Sequence, residues 1–136
     1  MTAIATANDL TRAILLEIPQ RFQGRAWRRN VGGGYPATVV HQAIRLIEVG
    51  QAAEALGLLR RTRVIHYGMA GEADIDGIIT VPGGHGLRLA IEVKVGRDHV
   101  RDEQANYGEM VTRFGGIWVV ARDVEAAMEE IKGKVG

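Results

Sequence analysis

The sequence predicts an α/β fold in which helices flank a central mixed β-sheet. Three observations support this: a helical apolar stripe near the N-terminus, two strand-like segments joined by a glycine-rich turn, and an uninterrupted apolar strand before the last helix. The segments follow the order helix, strand, helical insertion, hairpin, helix, strand, helix, which is typical of an α/β protein with a mixed sheet.

Composition limits the class of protein. A chain of 136 residues with 46% apolar and 24% charged residues fits one globular domain over residues 1–136. We expect no membrane association, because no apolar run reaches the length of a span and residues 1–20 lack the apolar core of a signal peptide. Cysteine is absent, which excludes disulfide partners and thiolate metal sites, and a cytoplasmic setting is expected.

The first helix is predicted from Asn8 to Ile18, with Asn8 or Asp9 as its N-cap and Pro19 as its end. A short strand is predicted over 26–31, and the triple glycine 32–34 is expected to be irregular. Helical stripes at 38–49 and 52–59 form a helical insertion at about 38–61, which is followed by a short strand at 64–67.

The hairpin is predicted from two runs, 74–81 and 87–95, separated by the turn segment 82–86. If the turn centres on Gly84, antiparallel pairing places Asp74 opposite Lys94. Because side chains alternate along a strand, Asp74, Asp76, Glu92 and Lys94 would share one face. The opposite face would carry apolar residues of both strands, namely Ile75, Ile79, Leu89, Ile91 and Val93.

The last third of the chain predicts a helix, a strand and a helix. The first helix should begin near Arg101, with two acids in its first turn, and end at the glycine pair 115–116. The run 117–121 predicts a strand buried on both faces. Asp123 should cap a final helix through Ile131, with residues 132–136 frayed.

Charge is distributed unevenly. Residues 1–70 hold nine basic and four acidic residues, a net of +5, whereas residues 71–136 hold eight basic and twelve acidic residues, a net of −4. Fourteen of the seventeen basic residues are arginine, which binds phosphates and stacks on bases, although a bias of genome composition towards arginine also explains this. The candidate nucleic-acid contacts are Arg28, Arg29, Arg60, Arg61 and Arg63; the last three equally fit a helix C-terminus, where cations are favoured.

The polar hairpin face indicates a metal site. Like charges on one patch repel, and a divalent cation relieves the repulsion; oxygen ligands favour Mg²⁺ or Mn²⁺. Such an ion polarises a phosphoryl oxygen and activates a bound water, while Lys94 would orient that water or stabilise charge on the phosphate. The alternative is a solvated sheet face with cross-strand Asp–Lys pairs.

Asp74 followed by Glu92-Val93-Lys94 resembles the PD-(D/E)XK nuclease signature, and the flanks resemble its VRR-NUC branch. The branch shows an aromatic residue and an asparagine before a glycine loop, a G-x-x-D element, an apolar-E-V-K strand and a helix opening with glutamine. The matching positions are Trp27 and Asn30, 71–74, 91–94 and Gln104. The resemblance covers residues 64–121 well and 8–31 loosely. Two departures are Ala73, where proline is usual, and Arg101, where Ser or Thr is usual.

The resemblance implies a restriction-endonuclease-like core and specific roles. Asp74, Glu92 and the backbone carbonyl of Val93 would ligate the metal, Lys94 would be the catalytic lysine, and Gln104 would lie beside the site. The family also places an acid of the first helix near the metal, for which Asp9 is the first candidate and Glu17 the second. Apart from the resemblance, Asn30 joins Arg28 and Arg29 as a candidate nucleic-acid contact.

The expected function is therefore a Mg²⁺- or Mn²⁺-dependent endonuclease acting on branched or distorted DNA, in replication or repair in a bacterial or phage-infected cell. A homodimer is expected if two strands are cut together, because one domain has one site. The alternative is a catalytically inactive nucleic-acid-binding module of the same fold, and a third interpretation is an α/β interaction domain with surface acids.

Overall fold

The computed structural model describes residues 6–29 and 32–136, which group into two compact units. The first lies within residues 1–30 and 69–136, and the second within residues 31–68. The elements of the first unit are α1 (Ala7–Arg21), β1 (Gly24–Arg28), β4 (Ile75–Thr80), β5 (Gly86–Val93), α4 (Asp102–Arg113), β6 (Ile117–Ala121) and α5 (Val124–Val135). The second unit contains β2 (Gly32–Gly34), α2 (Ala37–Glu48), α3 (Ala52–Arg61) and β3 (Ile65–Tyr67).

The first unit is built on a four-stranded sheet with the order β1-β4-β5-β6. β4 is antiparallel to both β1 and β5, whereas β6 runs parallel to β5 after the crossover through α4. The predicted α/β fold with a mixed sheet flanked by helices is confirmed at this level.

One face of the sheet forms the main core. The odd-numbered side chains of β4, β5 and β6 point to this face, where α1 and α5 pack against them and against each other. The predicted apolar hairpin face is confirmed, since all five of its members are at most 5% exposed. Their helix partners are Leu10, Ile14, Ile18, Ala127, Met128 and Ile131.

The other face is covered by α4 over β5 and β6. Tyr107 and Val111 of α4 pack on Ala90 of β5, and Trp118 of β6 lies against them. Gly108 permits this packing, because a Cβ at that position would overlap the Trp118 ring. β6 is therefore contacted on both faces, but the predicted burial is complete on only one of them, because Trp118 and Val120 on the other face are half-buried.

Several element boundaries differ from the prediction. Thr6, rather than Asn8 or Asp9, caps α1, and its Oγ1 accepts a hydrogen bond from the Asp9 amide at 3.1 Å. Pro19 lies within α1, which continues to Arg21. Proline removes the one helical hydrogen bond that its own N–H would make, and the helical pattern resumes beyond it, where the Phe22 amide donates to the Ile18 carbonyl at 2.9 Å.

At the other end of the chain, Asp123 caps α5 as predicted, its Oδ1 accepting from the Ala126 amide at 2.8 Å. α5 runs to Val135 instead of fraying from 132 onwards, and Ile131 and Val135 pack on the core. Burial of the last turn therefore stabilises it.

In the second unit, α2 packs against α3, and β2 pairs antiparallel with β3. The triple glycine, predicted to be irregular, is strand β2, because residues 65–67 supply a partner for its backbone. A side chain at Gly33 would come within 2.8 Å of Val64 Cγ1, so glycine suits the close approach of these strands. The predicted insertion at 38–61 lies within this unit.

Candidate active site

The loop that precedes β4 positions Asp74. Gly71 has a φ of +75° and lies against the first turn of α4, where an added Cβ would overlap the Glu103 carbonyl group. Only glycine satisfies both conditions without strain. The chain therefore passes directly beside the N-terminus of α4 before it reaches Asp74.

The register of the hairpin brings Asp74 to Glu92. Ile75 pairs with Ile91, so the register places Asp74 opposite Glu92, and not opposite Lys94 as predicted. The turn centres on Gly83, one residue earlier than predicted, and Gly83 and Gly84 both have positive φ. The predicted sharing of one face is kept, since the register shift is an even number of residues.

Asp74 also binds the backbone of the opposing strand. Its Oδ2 accepts a hydrogen bond from the Val93 amide at 2.8 Å. This bond fixes the carboxylate of Asp74 against the peptide that joins Glu92 to Val93. Val93 itself is 5% exposed and points into the core.

Glu92 is the most unusual carboxylate of the site. It is 3% exposed, and its Oε2 is buried without a hydrogen-bond partner among the described residues. Burial first, and then the charge of Asp74 nearby, raise the pKa of Glu92 to about 7, against an opposing effect of Lys94. The site thus holds a carboxylate whose ionised form lacks a full set of partners.

Two further side chains hold the remaining oxygen of Glu92. Gln104 Nε2 donates to Glu92 Oε1 at 2.7 Å, and Lys94 Nζ lies 3.5 Å from the same oxygen. Lys94 is itself 5% exposed and lies 3.6 Å from Asp98 Oδ2. Gln104 Oε1 accepts from the Arg101 amide at 3.0 Å, so one amide side chain both caps α4 and orients Glu92.

A second polar cluster lies beside the first on the same sheet face, and sequence analysis missed it. The buried carboxylate of Glu72 lies 3.0 Å from Arg29 Nε and 3.7 Å from Arg88 Nη2. Arg88 also donates to Asp76 Oδ2 at 3.0 Å and to the Tyr107 hydroxyl at 3.1 Å. Asp76 is therefore neutralised by arginine. Alternation along β5 places Arg88 on the face of Glu92, which was the one available signal in the sequence.

The acids proposed for the first helix do not join Asp74 and Glu92. Asp9 is exposed and accepts a hydrogen bond from the Thr6 hydroxyl at 2.7 Å. Glu17 forms an ion pair with Arg21 at 2.8 Å. Within residues 6–29 and 32–136, no group of three or more histidine, aspartate or glutamate side chains is placed to hold a metal ion.

The candidate nucleic-acid contacts occupy separate regions. Arg28 donates to Asn8 Oδ1 at 2.6 Å, and Arg29 pairs with Glu72. In the second unit, Arg60 and Arg61 occupy the last turn of α3, where cations suit the helix dipole, and Arg63 is exposed just beyond it. Asn30 lies outside the described residues.

Comparison with known proteins finds no matching family model, no similar curated protein and no solved structure that matches the chain. Among the described residues, no helix combines the length and apolarity needed to cross a bilayer. The geometry of the site is therefore the basis for assigning a function.

Proposed function

We propose that the protein is a metal-dependent endonuclease with a restriction-endonuclease-like core, which hydrolyses phosphodiester bonds in branched or distorted DNA. The observation that carries this proposal is the pairing of Asp74 with Glu92, whose buried Oε2 has no partner in the described part of the chain. A buried carboxylate oxygen without a donor is unfavourable unless a proton or a cation binds it, and at pH values above about 7 Glu92 is ionised, so a cation is the partner that fits.

The donor set fits the implied ion. Mg²⁺ is commonly bound by one or two carboxylates together with waters and substrate phosphates, so a third protein carboxylate is not required. Asp74 and Glu92 would hold Mg²⁺ or Mn²⁺, with the Val93 backbone beside them. When bound, the ion would supply Lewis-acid stabilisation of the phosphoryl group and a more acidic water.

The other residues have roles that follow from their contacts. Lys94 would direct its ammonium group towards the water or the phosphate, because Glu92 and Asp98 hold that group beside the carboxylate pair. Gln104 would keep Glu92 in one orientation through its 2.7 Å hydrogen bond. The arginine-rich first half of the sequence would attract the polyanion. Among the candidate contacts, Arg29 is paired with Glu72, whereas Arg28, Arg60, Arg61 and Arg63 form no ion pair with an acid of the described residues.

The resemblance to VRR-NUC nucleases supports a structure-specific substrate and a setting in the cytoplasm of a bacterial or phage-infected cell. A homodimer would bring two sites to a duplex if both strands are cut. A single protomer would nick one strand.

The experiment combines metal binding with cleavage. Titration calorimetry should detect Mg²⁺ or Mn²⁺ binding to the wild type, and binding should be lost in Asp74→Asn and Glu92→Gln. Asp76→Asn is the matched control, because Asp76 shares the face but is occupied by Arg88. Wild type should nick flap or junction DNA with Mg²⁺ or Mn²⁺, as should Glu129→Gln, which changes an exposed carboxylate of α5, whereas D74N and E92Q should not.

Two results would oppose the proposal. Metal binding that survives both D74N and E92Q would show that the carboxylate pair is not the metal site. DNA binding without metal and without cleavage of flap, junction, nicked or single-stranded substrates would favour the inactive binding module.

A further inference from the structure

On the sheet face that carries Asp74 and Glu92, strands β1 and β4 expose large apolar side chains. α4 covers β5 and β6 on this face, and α1 and α5 pack on the opposite face, so no described helix of the first unit covers β1 and β4 here. Trp27 is 43% exposed and Ile78 52% exposed. A large aromatic and a branched aliphatic side chain exposed together on a sheet indicate a binding surface.

The strand register shows what lies around these two residues. Trp27 is opposite Asp76, and Ile78 lies between Arg25 on β1 and Arg88 on β5. A shallow pocket of about 310 Å³, at the lower end of the range for small-ligand sites, is lined by Trp27, Ile78, Arg88 and Asp76, whose carboxylate is paired with Arg88. We call Arg25, Trp27, Ile78 and Arg88 the Trp27 platform.

Arginine gives the platform its chemical character. Arg88 is held by Asp76 and the Tyr107 hydroxyl, which orients its guanidinium group beside the pocket. Arg25 is exposed and forms no ion pair with the described acids. An indole ring bordered by one oriented and one unengaged guanidinium group suits an aromatic ligand that carries negative charge.

We propose that the Trp27 platform binds an unpaired nucleobase next to the phosphate that is cleaved. This inference rests on the proposed nuclease function and specifies its substrate: DNA with an unpaired nucleotide at the cleavage position. Bases stack on exposed aromatic side chains with little regard to sequence, and open sheet faces are used in this way by proteins that bind single strands.

The position of the platform agrees with this role. Asp74 precedes Asp76 by two residues on the same face, so the carboxylate pair lies about 7 Å along the strand from the position opposite Trp27. A nucleotide bound through its phosphate at Asp74 and Glu92 could place a neighbouring base on the indole ring. A base inside a duplex has its faces covered by its neighbours and cannot do so.

The test measures binding without metal, so that it does not depend on cleavage. The full chain is titrated in EDTA with a 12-nucleotide single strand, the same strand with abasic sites, and the corresponding duplex. Tryptophan fluorescence and anisotropy of labelled DNA are the readouts. The variants are Trp27→Phe, Trp27→Ala and Phe114→Ala, the last being a control because Phe114 is 78% exposed at the end of α4.

The single strand should quench the fluorescence of the wild type and bind it more tightly than the abasic strand or the duplex. W27A should weaken binding of the single strand roughly tenfold, in line with the loss of one stacked base. W27F should keep most of the affinity while the quenching disappears, and F114A should match the wild type. Far-UV circular dichroism establishes that each variant is folded, and W27F still tests the proposal if W27A is not.

Three binding results would overturn the inference: no binding of the single strand by the wild type, equal binding of the abasic strand, or unchanged quenching in W27F. A fourth would come from sedimentation. If the wild type is a dimer and W27A is a monomer, the Trp27 platform is an interface between two copies of the chain. Failure of the nuclease proposal is a different result. It would appear as absent cleavage with Mg²⁺ or Mn²⁺ while Trp27-dependent binding in EDTA persists.

Discussion

Replacing Glu92 by glutamine should make the metal-free protein more stable at neutral and alkaline pH. The substitution keeps the shape of the side chain and an oxygen that accepts from Gln104, but it removes a charge that is 3% exposed. Burial and the charge of Asp74 raise the pKa of Glu92 from 4.5 to about 7 in the folded protein.

The direction in which the free energy of unfolding changes with pH follows from proton linkage. A carboxyl group with a raised pKa binds its proton more tightly in the folded chain, so its stabilising contribution is complete below pH 4.5 and is lost as the pH rises through about 7. At 1.36 kcal/mol per pKa unit, the wild type should lose up to about 3 kcal/mol of unfolding free energy over this interval relative to E92Q. The pKa of about 7 already includes the opposing effect of Lys94, whose Nζ lies 3.5 Å from Glu92 Oε1.

The assay is urea unfolding in EDTA at several pH values between 4.5 and 8, followed by circular dichroism. E129Q, which alters an exposed carboxylate on α5, is the control and should follow the wild type. Adding Mg²⁺ at pH 8 should stabilise the wild type but not E92Q, since ligand binding to the folded state adds to its stability. Parallel stability curves for the wild type and E92Q would refute the argument from burial.

Three further predictions concern the elements around the site. Gly71→Ala should lower the free energy of unfolding by more than about 1 kcal/mol, because positive φ and contact with α4 both exclude a Cβ. Gly57→Ala in α3 is the control: its Cβ would make only an ordinary contact with Arg61 Nη1 at 3.6 Å, so thermal unfolding should show equal stability or a gain of up to about 1 kcal/mol. Gln104→Met should weaken Mg²⁺ binding roughly 10- to 100-fold in calorimetry, because Glu92 loses its 2.7 Å donor; unchanged affinity would argue against an orienting role. Asp123→Ala should cost about 1 kcal/mol in urea unfolding through loss of the α5 cap, and a neutral result would contradict the 2.8 Å capping bond.

The sequence predicts which residues share a sheet face better than it predicts their partners. Alternation along β4 and β5 depends only on the side-chain period of two, so the faces of Asp74, Glu92 and Lys94 were predicted correctly. The pairing depended on the turn, where three glycines in five residues leave its centre undetermined. Moving that centre from Gly84 to Gly83 changed the partner of Asp74 from Lys94 to Glu92.

The sequence did not predict features that depend on contacts between residues far apart along the chain. The Glu72 carboxylate lies beside Arg29 and Arg88, which are 43 and 16 residues away along the chain, and no local pattern indicates this. Strand β2 exists because residues 65–67 pair with three glycines whose intrinsic preference is against a strand. The continuation of α1 past Pro19 also depends on a distant contact, because Arg21 in the last turn donates to Glu125 of α5 as well as to Glu17, and neither bond follows from the helix-stopping tendency of proline.

The second unit is inserted between neighbouring positions of two paired strands, β1 and β4. Arg28 and Ile75 are neighbours across antiparallel strands, and the Arg29 amide donates to the Asp74 carbonyl at 2.8 Å. The chain therefore departs for residues 31–68 and returns at adjoining positions of one sheet, as it would for an ordinary hairpin loop. The entropy of closing such a loop rises slowly with its length, so shorter, longer or wholly different segments can be exchanged here. The position of Asp74 is therefore fixed by the sheet and does not depend on the length of the segment inserted before it.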